Sequence, residues 1–537
     1  MKGENNHLLG YRPIKLKNMI YFINFGMPDH KSGIEHAELK RIKLFERYGV
    51  MCKLIVRDWN RTLHKTANAS GVDDSHLLGM FDYFQDALAF EPKRLTIGEL
   101  DFGLKNLVIT DEEENSRYIV TRQNGKLVAR VNYDKAELRQ VVSTELFDGF
   151  GNLYRVDIYD SRGFCSLRQW YTPDNKIGSE EWLRPDKTTV LRTFYKLDIH
   201  KELVKTGWTL SEKNGEVHTF ETLDQLFEHF LNRVNEHGAN VFVLDRSLLA
   251  DGALLRLKRP AYTVLHLHNS QAGDPNDPMH SIVNNNYEYS LANINGYSAI
   301  VSATKRQTDD VIARFAPKAK CFTIPVGIVD DETLNAKHIA EDKRTFGKVI
   351  AVARIAHEKR LDDLVRAIAL VKKEIPEVTL DLYGYADPTN NYAEKQKVIK
   401  TIAELDLTDT VKLKGYTSNI AEVLDNAQIF GLTSRMEGFN LAIMEAISRG
   451  VVGVTYDVNY GPNDIVIDNK NGMIVENGDY KALAEQMIKL FKDKALRQKL
   501  SDGAYASSER YSSENIWHAW QELLADADKT LKGSVAR

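Results

Sequence analysis

Short apolar runs separated by amphipathic segments set the rhythm of most of this chain. Residues 19–25 and 51–57 are such runs, and residues 35–48 between them follow a helical period. An apolar run of this length, bounded by turn residues, suits a strand covered on both faces of a parallel sheet. A helical pattern over 77–89 ends at Glu91-Pro92. From about residue 96 to 213 the rhythm changes to alternation, as in Tyr118-Ile119-Val120-Thr121-Arg122, Leu127-Val128-Ala129-Arg130-Val131 and Leu153-Tyr154-Arg155-Val156-Asp157-Ile158-Tyr159. Turn signals at Asn124-Gly125, Asp148-Gly149, Arg162-Gly163 and Asn214-Gly215 punctuate it. Alternation with such turns predicts an antiparallel, β-rich insertion. Strand-like runs at 239–244, 261–267 and 299–302 then resume the α/β pattern, and a further α/β domain follows Pro325-Val326-Gly327.

The expected fold class is therefore α/β, with two Rossmann-like domains and the β-rich insertion in the first. Residues 19–92 and 219–328 make the amino-terminal Rossmann-like domain, split by an insertion at 93–218. Residues 329–506 make the second Rossmann-like domain, and 507–537 a helical tail with Trp517 and Trp520 on one face. The tail is expected to pack back on the first domain.

Candidate chemistry gathers in the second domain. Ile429 to Leu432 reads as a buried strand, and Glu437-Gly438-Phe439-Asn440-Leu441-Ala442-Ile443-Met444-Glu445 follows it. With a helix beginning near Phe439, the two glutamates lie about 12 Å apart at ~1.5 Å rise per residue. That reach matches a nucleotide sugar, whose hexose and ribose lie on either side of a diphosphate; two glutamates on an ordinary amphipathic helix would show the same spacing. Upstream, Lys348-Val349-Ile350-Ala351-Val352-Ala353-Arg354 is another buried-type run, and Arg354 and Lys359 flank the turn after it. Open α/β sheets bind ligands at the carboxyl ends of their strands. Arg as a bidentate fork and Lys as a point charge suit a diphosphate there. Gly461-Pro462-Asn463 adds a third tight turn after a strand.

Other positions are more ambiguous. Gly33 sits where a first strand meets a first helix, in Asp29-His30-Lys31-Ser32-Gly33-Ile34, and helix amides there can hold an anion. The segment is not a G-x-G-x-x-G fingerprint, which disfavours NAD. His266 and His268, at i and i+2 of a strand end, point to one side, but no third metal ligand stands at a suitable spacing. Asp526-Ala527-Asp528 lies in the helical tail, away from any strand end, so a metal-dependent GT-A reading loses its main support.

In combination and order, Ala353-Arg354-x4-Lys359, Glu437-x7-Glu445 and Gly461-Pro462-Asn463 resemble the retaining GT-B glycosyltransferases of family 4. In the amino-terminal half, Ser32-Gly33-Ile34-Glu35, Asp58-Trp59-Asn60-Arg61 and Met80-Phe81-Asp82-Tyr83-Phe84-Gln85 look like one branch of that family, which glycosylates Gram-positive surface material. It includes N-acetylglucosaminyltransferases of serine-rich or Ser-Asp-repeat adhesins and poly(glycerol phosphate), or teichoic acid, α-glucosyltransferases. The similarity runs from Met19 onward; the first eighteen residues match nothing.

The resemblance implies a GT-B fold and UDP-hexose transfer with retention, the hexose being N-acetylglucosamine or glucose and the donor UDP-GlcNAc or UDP-Glc. Arg354, Lys359, Glu437 and His266 take the catalytic places, with His266 on the donor hexose and Glu437 on sugar hydroxyls. Gly33, Tyr416, Phe439, Asn440, Leu441 and Glu445 take donor- and nucleotide-binding places: Gly33 beside sugar and acceptor, Tyr416 near the uracil, Glu445 on the ribose. No metal and no cofactor are implied. The favoured acceptor is serine in a serine-rich surface protein, the alternative is wall teichoic acid, and a non-catalytic partner subunit that binds glycosylated adhesin is a third reading. A sugar-phosphate epimerase on the same two-domain fold lacks support from the insertion. As a cleft lysine, Lys359 is expected to contribute little to stability.

Composition changes this picture little. The chain has 537 residues, 43% hydrophobic and 27% charged, with a formal charge of −4. That balance gives no case for a nucleic acid partner or a polybasic anchor. No apolar run reaches the ~20 residues of a membrane span, and the polar start lacks a signal peptide's apolar core. Three scattered cysteines, Cys52, Cys165 and Cys321, argue for a reducing compartment. The expected location is cytoplasmic, with room for peripheral association at the inner face of the membrane. Oligomerisation, with itself or with a second subunit, is expected to use the insertion, where aromatic and basic residues interleave.

Overall fold

The computed structural model describes residues 18–28 and 31–535. Residues 1–17, and Asp29 and His30 of the Gly33 loop, lie outside the described residues. The chain divides into two compact units, one holding residues 32–49 with 262–537 and the other residues 16–31 with 50–261.

In the second of these units, the apolar runs form four parallel strands in the order Val241–Leu244, Ile20–Asn24, Cys52–Val56, Leu77–Gly79. Every residue of the central strand is buried, which explains its unbroken apolar character. The helix expected over 77–89 is not there as such. Leu77–Gly79 pairs with Cys52–Val56, and only Met80–Phe84 is helical, because the buried Leu77 and Leu78 complete the sheet edge.

The insertion is a ten-stranded antiparallel meander, each strand bonded to its sequence neighbours from Leu107–Glu112 to Val217–Phe220. Burial alternates over Ala129 to Asp134 and over Thr144 to Phe147, and Val120, Val128, Val131, Val141, Leu146 and Tyr159 share one core. The meander is fastened to the α/β strands by the segments that carried the resemblance. Trp59 Nε1 donates to Ser166 Oγ at 2.9 Å, and Gln85 Nε2 donates to the Leu183 carbonyl at 2.5 Å. Phe81 packs on Trp182 with ring centroids 4.8 Å apart, and Trp182 stacks on Trp208. Buried Arg162 donates to Asp82, to Asp160 and to the Ala87 carbonyl.

In the other unit, Tyr262–Leu267, Ala299–Ser302 and Lys320–Thr323 form a parallel ladder. A six-stranded parallel sheet follows in the order Val411–Gly415, Thr379–Tyr383, Lys348–Val352, Ile429–Leu432, Val452–Tyr456, Gly472–Val475. Numbered along the chain this order is 3-2-1-4-5-6, the doubly-wound arrangement. Helix Gly33–Arg47 groups with this unit because the tail helix Ser513–Val535 packs on it. Trp517 stacks on Tyr48 at 4.6 Å, and Trp517 and Trp520 meet the Phe45 ring edge-on. Asp526 accepts a hydrogen bond from the Tyr262 hydroxyl at 2.7 Å.

Candidate active site

A doubly-wound sheet binds ligands where the strand order reverses, outside the carboxyl ends of the two strands at that point. Here those strands are Lys348–Val352 and Ile429–Leu432, which pair in parallel. The loop after the first carries Arg354 and Lys359; the loop after the second carries Ser434, Glu437 and Asn440.

Lys359 Nζ lies 2.7 Å from Glu437 Oε1, so the two residues expected to serve diphosphate and sugar meet directly. Ser434 Oγ donates to the same carboxylate oxygen at 2.6 Å and Asn440 Nδ2 at 2.9 Å. Asn440 has a second duty. It occupies the left-handed region at φ 73°, and its Oδ1 accepts from the Ile443 amide at 3.0 Å, capping helix Leu441–Ser448. The helix thus begins two residues later than expected, and Asn440 couples its amino end to the carboxylate. The Lys359 side chain is 16% exposed and that of Glu437 9%, so Lys359 is no loose cleft lysine.

The backbone around this cluster is tightly layered. A Cβ on Gly438 would lie 1.9 Å from the His268 carbonyl oxygen, so only glycine fits. Gly461, at φ 102°, would bring a Cβ to 2.1 Å from the Phe439 carbonyl oxygen. The Tyr460 amide donates to the Glu437 carbonyl at 2.9 Å, and the Tyr460 hydroxyl donates to Asp310 at 2.7 Å. Ser434 and Gly438 went unrecognised as site-builders in the sequence. Ser434 could have been found as the hydroxyl three residues before Glu437; Gly438 could not, because its neighbour is far away in the chain.

Arg354 stands beside this cluster, its guanidinium 41% exposed and bridging Asp387 at 2.6 Å and Glu358 at 2.5 Å. The Thr389 hydroxyl and amide, with the Arg354 charge added, hold the Asp387 carboxyl below its ordinary range. His266 is buried at the end of its strand, with Nδ1 3.1 Å from Arg41 Nη1 and its ring 4.2 Å from that of His268. Arginine cannot accept, so Nδ1 is the acceptor and the neutral imidazole carries its proton on Nε2. Glu445 pairs with Lys40 of helix Gly33–Arg47 at 2.9 Å, both side chains about one-third exposed.

At Gly33 a Cβ would meet nothing within 4 Å, leaving open space at that helix start. Ser32 and Glu35 form a capping box there, placing a carboxylate on the first turn. Phe439 is buried edge-on against Tyr511 at 5.5 Å, so its ring is taken up by packing. Leu441 is half-buried at the first turn of its helix, and Tyr416 is exposed just after strand Val411–Gly415.

Residues 331–507 match the family described as glycosyl transferases group 1. The chain is 27% identical over 531 residues to the UDP-N-acetylglucosamine–peptide N-acetylglucosaminyltransferase GtfA subunit of Streptococcus agalactiae, covering 94% of this chain and 98% of the relative. It is 25% identical over 532 residues to the poly(glycerol-phosphate) alpha-glucosyltransferase of Bacillus subtilis, covering 94% of this chain and 74% of the relative. The pneumococcal O-GlcNAc transferase GtfA, solved with UDP and GlcNAc, superposes with a TM-score of 0.78 at 21% identity, covering 97% of this chain and 99% of that one. No helix among the described residues is long and apolar enough to cross a membrane. The second Rossmann-like domain thus matches the group 1 glycosyl transferases, and the chain as a whole shares the GT-B fold of the solved glycosyltransferases it superposes on.

Proposed function

We propose that the chain is a retaining α-glycosyltransferase that moves N-acetylglucosamine or glucose from a UDP-sugar to serine residues of a serine-rich surface protein. The observation that carries this reading is the convergence of Lys359, Glu437 and the capped helix Leu441–Ser448 at the reversal point of a doubly-wound sheet. The protein acceptor is favoured over poly(glycerol phosphate) because the match spans nearly the whole peptide-modifying relative but 74% of the polymer-modifying one. Poly(glycerol phosphate) remains the second reading on that relative's 94% coverage of this chain.

In this mechanism the anomeric carbon loses its bond to the diphosphate oxygen and gains one to the acceptor oxygen on the same face. The acceptor's proton passes to the departing diphosphate. Arg354 and Lys359 stabilise the charge growing there, and amides at the start of helix Leu441–Ser448 add to it. Glu437 orients Lys359 and sugar hydroxyls, Glu445 takes the ribose, and His266 offers its Nε2 proton to the hexose. Two side-chain cations do the work of a metal, so EDTA leaves the initial rate unchanged. The insertion serves the polymeric acceptor: Arg155 and Arg168 both lie over the Trp170 ring, at 5.7 and 5.8 Å, as a stacking platform. Mass spectrometry of a Ser-rich peptide and of poly(glycerol phosphate), each incubated with UDP-GlcNAc and UDP-Glc, tests the assignment. Modification of neither acceptor with either donor would overturn it.

A further inference from the structure

The insertion leaves the α/β unit through a hairpin whose loop, Glu212 to Glu216, joins strands Leu203–Ser211 and Val217–Phe220. The loop is closed by the Glu212 amide on the Glu216 carbonyl at 2.8 Å, and helix Leu223–Val234 follows at once. His218 stands on the last strand and His229 on the helix, with ring centroids 5.1 Å apart. Glu212 Oε1 and Glu216 Oε2 each lie 4.0 Å from His218 Nε2. One donor atom from each of Glu212, His218 and His229 falls within 4.8 Å of the others. Nε2 of His229 is buried without a hydrogen-bond partner. None of these residues belongs to the site described above.

We propose that Glu212, His218 and His229 form a structural site for a borderline transition-metal ion of the Zn2+ type, with Glu216 or water as fourth ligand. Two imidazoles and a carboxylate are a donor set that zinc takes and that calcium or magnesium does not favour. Ligands in a zinc tetrahedron stand about 3.3 Å apart, given bonds of about 2.0–2.1 Å, so the 4.0 Å separations close with small side-chain rotations. The opposing group is Arg233, whose Nη1 lies 3.3 Å from Glu212 Oε1 and must yield that contact to the ion. An ion here clips the insertion's last hairpin to the following helix.

The test uses the full chain, stripped of metal, titrated with Zn2+ by calorimetry and by thermal melting. One equivalent binds and Tm rises by several degrees, since a ligand of the folded state stabilises by mass action. His218→Ala, at a partly exposed position that tolerates truncation, and Glu212→Gln each lose tenfold or more in affinity. Arg233→Ala, which frees Glu212, tightens binding. Binding that survives unchanged in His218→Ala and Glu212→Gln marks an adventitious ion elsewhere and overturns the proposal. So does the lack of any Tm response at micromolar Zn2+. Because the site shares no residue with the Lys359–Glu437 cluster, either result leaves the reading of the transfer reaction untouched.

Discussion

Removing Lys359 tests the site where structure and sequence disagree most about consequence. In Lys359→Ala, the Glu437 carboxylate keeps Ser434 Oγ at 2.6 Å and Asn440 Nδ2 at 2.9 Å but loses the lysine charge beside it. Breaking a fully buried pair costs about 3–5 kcal/mol. The two neutral donors remain and water reaches a side chain that is 16% exposed, so about 2 kcal/mol is the appropriate figure here. For a domain of this size that lowers Tm by about 4–8 °C. A lysine standing free in a cleft would have cost almost nothing. The rate is the second readout: losing one donor to the growing negative charge costs on the order of 10²–10³. Thermal melting and transfer from a UDP-sugar, measured on Lys359→Ala, Glu437→Gln and the double variant, separate the two effects. The double variant regains part of the lost Tm, because no buried charge is stranded, yet regains no activity. Wild-type transfer in Lys359→Ala would refute the diphosphate role, and an unchanged Tm would refute the buried pair.

Glu445→Gln leaves stability within about 1 kcal/mol, as for exposed ion pairs, but raises KM for the UDP-sugar severalfold; an unchanged KM would remove Glu445 from the ribose. Gly438→Ala forces a Cβ to 1.9 Å from the His268 carbonyl oxygen, so kcat falls at least tenfold in protein that remains folded by circular dichroism. In metal-stripped protein, His229 has a folded pKa of about 4, below the ~6.5 of an unfolded chain. It therefore contributes stability above pH 6.5 that is lost as pH falls toward 4. Denaturant melts of wild type and His229→Gln should converge by about 1–2 kcal/mol across that window, and parallel curves would count against the buried neutral ring. Arg162→Ala strands the buried Asp82 and Asp160 carboxylates and costs about 3–5 kcal/mol, read as a fall in the denaturant midpoint.

The strand framework was legible because each buried strand is a short apolar run between turns, and the meander because its alternation and Gly turns are local signals. Leu77–Gly79 was missed for the same kind of reason. Three apolar residues running into Met80–Phe84 look like the first turn of a helix until a partner strand is supplied. The site followed the same rule. Arg354 and Lys359 could be located after a strand, and Glu437 after another, from local pattern alone. That Lys359 and Glu437 touch could not be read, since 78 residues separate them and only the 3-2-1-4-5-6 order makes their loops adjacent. Nor could the second role of Asn440, which depends on its left-handed backbone as much as on its side chain.

The same non-local logic revises what the β-rich insertion is. Read as a run of alternating residues, it looks like a separable module, and excising residues 96–213 would seem the natural way to test it. In the folded chain the cut would remove Arg162 from Asp82, Ser166 from Trp59 and Gln85, and Trp182 and Trp208 from Phe81. Asp82 would then be a buried carboxylate left with His64 Nε2 at 3.3 Å, and Phe81 an uncovered ring beside the sheet edge. Each change carries the penalty of an unpaired buried charge or of lost core packing. Loss of activity on deletion would therefore report collapse of the unit and not loss of acceptor recruitment. A fair test leaves the anchoring face intact and changes the stacking platform, since Trp170 is only partly buried and its cations come from Arg155 and Arg168. Trp170→Ala should spare donor hydrolysis and transfer to short peptides while weakening transfer to long acceptors. Equal loss on both acceptor lengths would assign the insertion a purely structural role.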